Sequence, residues 1–308
     1  MRWKVFFGAI FTLIVIFLLG VYWFLPLGET FEFEPIKKNS NFTLNPKVDP
    51  DAGFQFYKNM RYPDKEISYK IDNCPLQKKE DMERAFKIIE NETILDFFSV
   101  QSGERISVTC DSKTRLNEGL FIAGEGGPSN ITQTENFNVI LAGDIVLLRD
   151  SKCSKPNVAV HEVLHALGFD HSQNPSNIMY DVSKCGQTLG QDTLDFINTI
   201  YLFPSQPDLS FENVSATRKG NYVDLNLTLR NNGLANSGEM KVFVFADGKN
   251  INEVESTPLG IGHGRIILLK DIFVLDRNIN ILEIVIEHAP DELNKENNNI
   301  KLNIKLND

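Results

Sequence analysis

Three of the five histidines in this 308-residue chain fall within eleven residues, His161-Glu162-Val163-Leu164-His165-Ala166-Leu167-Gly168-Phe169-Asp170-His171, and no other stretch restricts the fold so tightly. On a helix His161 and His165, four positions apart, project from one face. Two imidazoles so related can grip one tetrahedral zinc ion. Gly168 then ends the helix, because glycine takes a positive φ without a Cβ clash. The turn brings His171 back as a third ligand and leaves a fourth position open, which separates a catalytic zinc from a structural one. Glu162, beside the first ligand, can reach a water at that position without occupying it. A surface helix with merely solvated histidines would not gather most of the chain's histidines at this spacing.

Downstream runs His171-Ser172-Gln173-Asn174-Pro175-Ser176-Asn177-Ile178-Met179-Tyr180. The histidine motif with this later methionine resembles the metzincin metalloproteases, and its matrixin branch most closely. That resemblance implies one catalytic zinc and a protein or peptide substrate lying extended along an edge strand. It implies peptide-bond hydrolysis by a zinc-activated water, with Glu162 as general base and then acid. It gives Met179 the part of an apolar floor beneath the ligands.

The flanking chain sets the location. Val5 to Leu27 holds 23 residues without a charge, long enough to cross a bilayer as a helix. Arg2 and Lys4 precede it and Glu29, Glu32 and Glu34 follow, which puts residues 1–4 in the cytoplasm and the remainder outside. Trp3, Tyr22 and Trp23 suit the interfacial belts. The apolar run exceeds that of a signal peptide and no A-x-A site follows, so 5–27 reads as an uncleaved anchor. The net charge of −10, or −12 with Arg2 and Lys4 set aside, argues against nucleic acid and anionic lipid surfaces as partners. Residues 28–62, mixed in charge and rich in Asn and Pro, read as a stalk.

From 63 to 204 the pattern is α+β. Strand patterns at Ile67–Ile71, Ile94–Val100, Ile106–Cys110, Leu120–Ala123 and Phe137–Leu148 accompany a helix over Lys78–Glu90, the histidine helix opened by Pro156, and a last helix over Gly190–Tyr201. A twisted mixed sheet, zinc helix, methionine turn and closing helix are what the matrixin resemblance implies. There are departures. Matrixins commonly carry a structural zinc in a His-rich loop, and Gly124 to Arg149 contains no histidine, so none is expected. Their calcium-binding acidic cluster is poorly reproduced, with only Asp144 and Asp150 nearby, which leaves Ca2+ open. No cysteine precedes Cys74, so the cysteine form of latency has no support. Gly124-Glu125-Gly126-Gly127 lacks the spacing and lysine of a phosphate loop and reads as a turn.

Four extracytoplasmic cysteines without metal spacing point to disulfides, and three pairings are possible. The matrixin-like fold favours Cys74 with Cys110 and Cys153 with Cys185, which would be neighbours there. Sequons at Asn41, Asn91, Asn130, Asn213 and Asn226 are compatible with glycosylation. Beyond Pro204-Ser205-Gln206-Pro207, residues 205–308 turn all-β. Alternation in Val223–Leu229 and Ile300–Leu306, runs at Lys241–Ala246 and Ile281–Glu287, and the hairpin pair Asp247-Gly248 indicate an antiparallel sandwich of about seven strands. Pro207-Asp208-Leu209, Leu229-Arg230-Asn231-Asn232-Gly233 and Glu292 through Glu296-Asn297-Asn298 resemble the CARDB type of Ig-like domain, which implies binding to a surface protein or glycan. His263 and His288 stand singly there and read as surface or packing residues. The expectation is therefore a membrane-anchored zinc endopeptidase with an Ig-like module. The competing reading is a catalytically silent adhesion protein that keeps the protease fold as a scaffold.

Overall fold

A computed structural model describes residues 2–25, 30–36, 55–112, 116–117, 120–149, 153–276, 278–288 and 291–305. Two compact units divide the chain. One comprises Thr43–Pro207 with Asn232–Ala235, the other Met1–Phe42, Asp208–Asn231 and Asn236–Asp308. Asn41, Asp150 and residues 37–54 of the expected stalk lie outside the described residues.

The chain begins with helix α1 (Arg2–Phe24), whose Trp3–Tyr22 segment has a mean hydropathy of 2.7. That is long and apolar enough for a membrane span or a signal sequence. The helix starts and stops about three residues earlier than the uncharged run suggests. Strand β1 (Thr30–Pro35) follows and corrects the stalk reading. It pairs antiparallel with strands from the far end of the chain, described below. Its Phe31 and Phe33 alternate with Glu32 and Glu34, the period of a half-buried strand.

The Thr43–Pro207 unit contains β2 (Met60–Arg61), β3 (Glu66–Ile71), α2 (Leu76–Glu92), β4 (Asp96–Ser99), β5 (Ile106–Cys110), β6 (Leu116–Asn117), β7 (Leu120–Phe121), β8 (Gly124–Gln133), β9 (Asn138–Leu147), α3 (Asn157–Ala166) and α4 (Gln191–Ile200). In its sheet β3 runs parallel to β4 and β5, β5 parallel to β9, and β8 antiparallel to β9. Met82, Phe86 and Ile89 form the buried stripe of α2. In α3 nearly every residue is buried, including Val160, Val163 and Leu164, so this short helix is a core element. Disulfides join Cys74 to Cys110, next to adjacent strands, and Cys153 to Cys185 across the segment carrying α3.

Two expectations change here. This unit begins before residue 63: Gln55 bridges to Phe169, and Arg61 is 1% exposed. The Arg61 guanidinium donates to the carbonyls of Tyr62, Pro63, Ile200 and Phe203 and stacks 4.5 Å from the Tyr201 ring centroid. It thereby closes the C-terminal end of α4 with a cation, and burial lowers its pKa. Gly124–Gly127, read as a turn, is instead the start of the long strand β8. Its glycines permit close approach to α3. A Cβ on Gly126 would stand 2.5 Å from the Glu162 carbonyl oxygen and 3.1 Å from the Glu162 Cα.

The second unit contains β10 (Leu209–Lys219), β11 (Tyr222–Asn231), β12 (Met240–Ala246), β13 (Lys249–Ser256), β14 (Gly264–Phe273), β15 (Ile281–His288) and β16 (Asn299–Ile304). The hydrogen-bonded order is β13-β12-β15-β16-β1-β10-β11-β14. Leu225, Leu227 and Leu229 point into its core, where Val242, Val244, Leu282 and Ile284 meet them. The Asp and Asn residues singled out in the sequence fasten the ends of this unit. The buried Glu292 carboxylate accepts from the Leu209 N–H at 2.7 Å and from Asn298 Nδ2 at 2.8 Å. Asp208 accepts from Asn297 Nδ2, and the Asp208 N–H donates to Asn231 Oδ1.

Two outcomes follow for stability. Gly126→Ala should lower the unfolding free energy of the Thr43–Pro207 unit by about 1–3 kcal/mol, since backbone must move to admit the methyl. Gly127, with open space around its Cβ position, should tolerate alanine without loss. Glu292→Ala strands the buried Leu209 N–H and should cost about 2–4 kcal/mol in denaturant unfolding. A change under about 0.5 kcal/mol, the range of ordinary surface substitutions, would contradict either assignment.

Candidate metal centre

Helix α3 presents His161 and His165 one turn apart, and the chain then reverses. The Gly168 N–H donates to the His165 carbonyl and the Phe169 N–H to the Leu164 carbonyl, with Gly168 at φ 94°. This pair of bonds is a Schellman ending, which demands a left-handed residue at that point. It sends the chain through Asp170 to His171. The imidazole nitrogens of His161, His165 and His171 that face one another lie within 4.8 Å. Ring centroids are 4.5, 4.7 and 5.3 Å apart.

The outer nitrogens explain why the inner ones are available. His161 Nδ1 lies 2.7 Å from the Ile178 carbonyl and His165 Nδ1 2.7 Å from the Phe169 carbonyl. A carbonyl only accepts, so Nδ1 carries the proton in both rings and Nε2 keeps its lone pair. His165 Nε2 and His171 Nε2 are 3.2 Å apart. Two nitrogens bound to one tetrahedral zinc at ≈ 2.0–2.1 Å lie about 3.3–3.4 Å apart, so the observed spacing fits. Burial, and then the charge of His161, hold His165 down at about 4; burial also lowers His161. Both rings therefore stay neutral and competent to bind a cation. Phe56 stacks on the outer face of His165, with centroids 5.7 Å apart.

Glu162 is 5% exposed and belongs to the lining of the same cleft, a hollow of about 640 Å³. Gly124–Gly126 of β8 and Asp181–Ser183 line it as well. Burial, and next the charge of Glu125, push the Glu162 carboxyl up to about 8. A cation held by the three imidazoles would draw it back down. A Cβ on Gly124 would fall 2.7 Å from Glu162 Cγ and Oε1, so the space of the carboxylate is set by the missing side chain of its neighbour. Met179 is 2% exposed and directly follows Ile178, whose carbonyl orients His161. Its own N–H donates to Asn177 Oδ1.

The structure thus gathers His161, Glu162, His165, His171 and the segment before Met179 around one cleft. Gly124, Glu125 and Gly126 also line it, although the sequence there reads as a turn. The signal was present, because glycine recurring beside a strand pattern marks the close approach of another backbone.

Residues 61–202 match the matrixin (peptidase M10) family profile and residues 206–302 match the CARDB profile. Stromelysin-1 of Rattus norvegicus is 28% identical over 187 residues, 52% of this chain and 38% of that protein. Macrophage metalloelastase of Oryctolagus cuniculus is 34% identical over 127 residues, 37% of this chain and 27% of its own length. The chain therefore spans only about a third of the curated relatives it matches. Among solved structures, the hatching enzyme zinc-protease HCE-1 of Oryzias latipes aligns at 16% identity with a TM-score of 0.29, covering 48% of this chain and 94% of that one. The chain carries a matrixin-like, metzincin-type domain at residues 61–202 and a CARDB domain at residues 206–302.

Proposed function

We propose that the matrixin-like domain is a zinc endopeptidase, held outside the cytoplasm by α1 as a single-pass anchor. The observation that carries this reading is the convergence of three imidazoles on one point, two of them locked by backbone carbonyls, beside a buried carboxylate. His161, His165 and His171 would hold the ion. Bound there, zinc supplies Lewis-acid chemistry, polarising a carbonyl and acidifying a water.

The remaining work belongs to the chain. Glu162 takes the proton of the attacking water and returns it to the leaving amine. Strand β8 pairs only with β9 among the described residues and borders the cleft with its other edge. It offers backbone N–H and C=O groups to an extended peptide. Met179, buried behind the His161 anchor, backs the ligands as an apolar floor. Arg2 and Lys4, in the first turn of α1 and ahead of its uncharged run, favour a cytoplasmic N-terminus. The CARDB domain serves as a binding module for a surface protein or glycan.

Three measurements test the reading. Glu162→Gln should keep one zinc per chain by elemental analysis while peptide hydrolysis falls by about 10²–10⁴-fold. Unchanged turnover would refute the base assignment. Gly124→Ala should displace the Glu162 carboxylate and lower kcat by about a hundredfold, whereas Gly127→Ala should leave it intact. Chelation should abolish hydrolysis and added zinc should restore it. A zinc-loaded chain inert toward an unbiased peptide library would instead favour the silent adhesion reading.

A further inference from the structure

We infer that the groove between β10 and β16 is a strand-binding site in its own right, with Thr30–Pro35 as its ligand, so that the anchor holds the rest of the chain by non-covalent pairing as well as by covalent linkage. Without β1, the run β13-β12-β15-β16 would end in an open edge at β16, and β14-β11-β10 in another at β10. Open edges are what extended peptides pair with. β1 satisfies both. It pairs antiparallel with β10 from Thr30↔Lys219 to Phe33↔Ala216, and with β16 from Phe33↔Ile304 to Pro35↔Leu302. Further backbone bonds continue this pairing: the Ile36 N–H donates to the Lys301 carbonyl and the Lys305 N–H to the Glu32 carbonyl, both at 2.8 Å.

Side chains add selectivity to this backbone pairing. Phe33 is 4% exposed and belongs to the core of the second unit. Phe31 lies under the Arg218 guanidinium, 4.6 Å from its ring centroid. Glu32 pairs with Lys305 at 3.2 Å. The groove thus reads an extended segment with an aromatic at alternate positions and an acid between them. The CARDB match, residues 206–302, excludes this strand, and the whole Thr43–Pro207 unit intervenes before β10. This strand of the compact unit is therefore supplied from outside the CARDB-matching segment. A backbone cut between β1 and the Thr43–Pro207 unit would leave the two pieces together.

The test needs neither zinc nor a membrane and stands apart from the peptidase reading. The full chain, with an affinity tag ahead of α1 and a viral-protease recognition sequence inserted between residues 38 and 42, is cut in detergent and captured by the tag. The C-terminal piece should be retained with the anchor. A synthetic peptide of residues 28–37 in excess should displace it. The same peptide with Phe33→Ala should be at least about a hundredfold weaker. Immediate loss of a C-terminal piece that is still folded by circular dichroism would overturn the proposal. So would equal displacement by a scrambled peptide, which needs no folded variant for its reading.

Discussion

Two hydrogen bonds orient the centre of this molecule: His161 Nδ1 to the Ile178 carbonyl and His165 Nδ1 to the Phe169 carbonyl. They fix tautomer and ring angle together, so that both inner nitrogens face His171 with lone pairs exposed. Each depends on chain that lies downstream of the helix. Phe169 is placed by the Gly168 turn, which only a residue at ease with positive φ can make. Ile178 is placed by a short exchange with Thr188, whose carbonyl accepts the Ile178 N–H while its own N–H reaches the Ser176 carbonyl. The Cys153–Cys185 disulfide closes the same stretch.

The second constraint is the lack of space between β8 and α3. A strand with side chains at positions 124 and 126 could not lie against Glu162 as this one does. The two glycines let a strand approach the helix closely enough that the carboxylate, the imidazoles and the start of β8 share one cleft. Glycine weakens a strand through backbone entropy; here the long antiparallel pairing with β9 offsets that weakness.

How much of this was legible varies with the physics of each segment. The histidine helix was readable because side-chain period and glycine punctuation agree on one geometry. The sandwich strands Val223–Leu229 and Ile300–Ile304 announce themselves by alternation. Gly124–Gly127 misled because glycine signals a turn as readily as a close approach, and only the partner backbone tells them apart. Phe33 alternates with acids, but its partners Ala216 and Ile304 stand far downstream, so nothing local marks it as core. Arg61 reads as a stalk cation because two of the four carbonyls that accept from its guanidinium, those of Ile200 and Phe203, reach it only on folding.

Connectivity links the two units more closely than domain order suggests, since the chain starts the second unit with β1, builds the matrixin-like domain, and returns to finish the sandwich. The chemistry still reduces to whether three rings share one ion. X-ray absorption at the zinc edge of the purified chain measures this most directly. One zinc per chain with three imidazole nitrogens at ≈ 2.0–2.1 Å is expected, with one fewer nitrogen in His171→Ala. Substoichiometric zinc, a sulfur-containing shell, or a shell unchanged in that variant would contradict it.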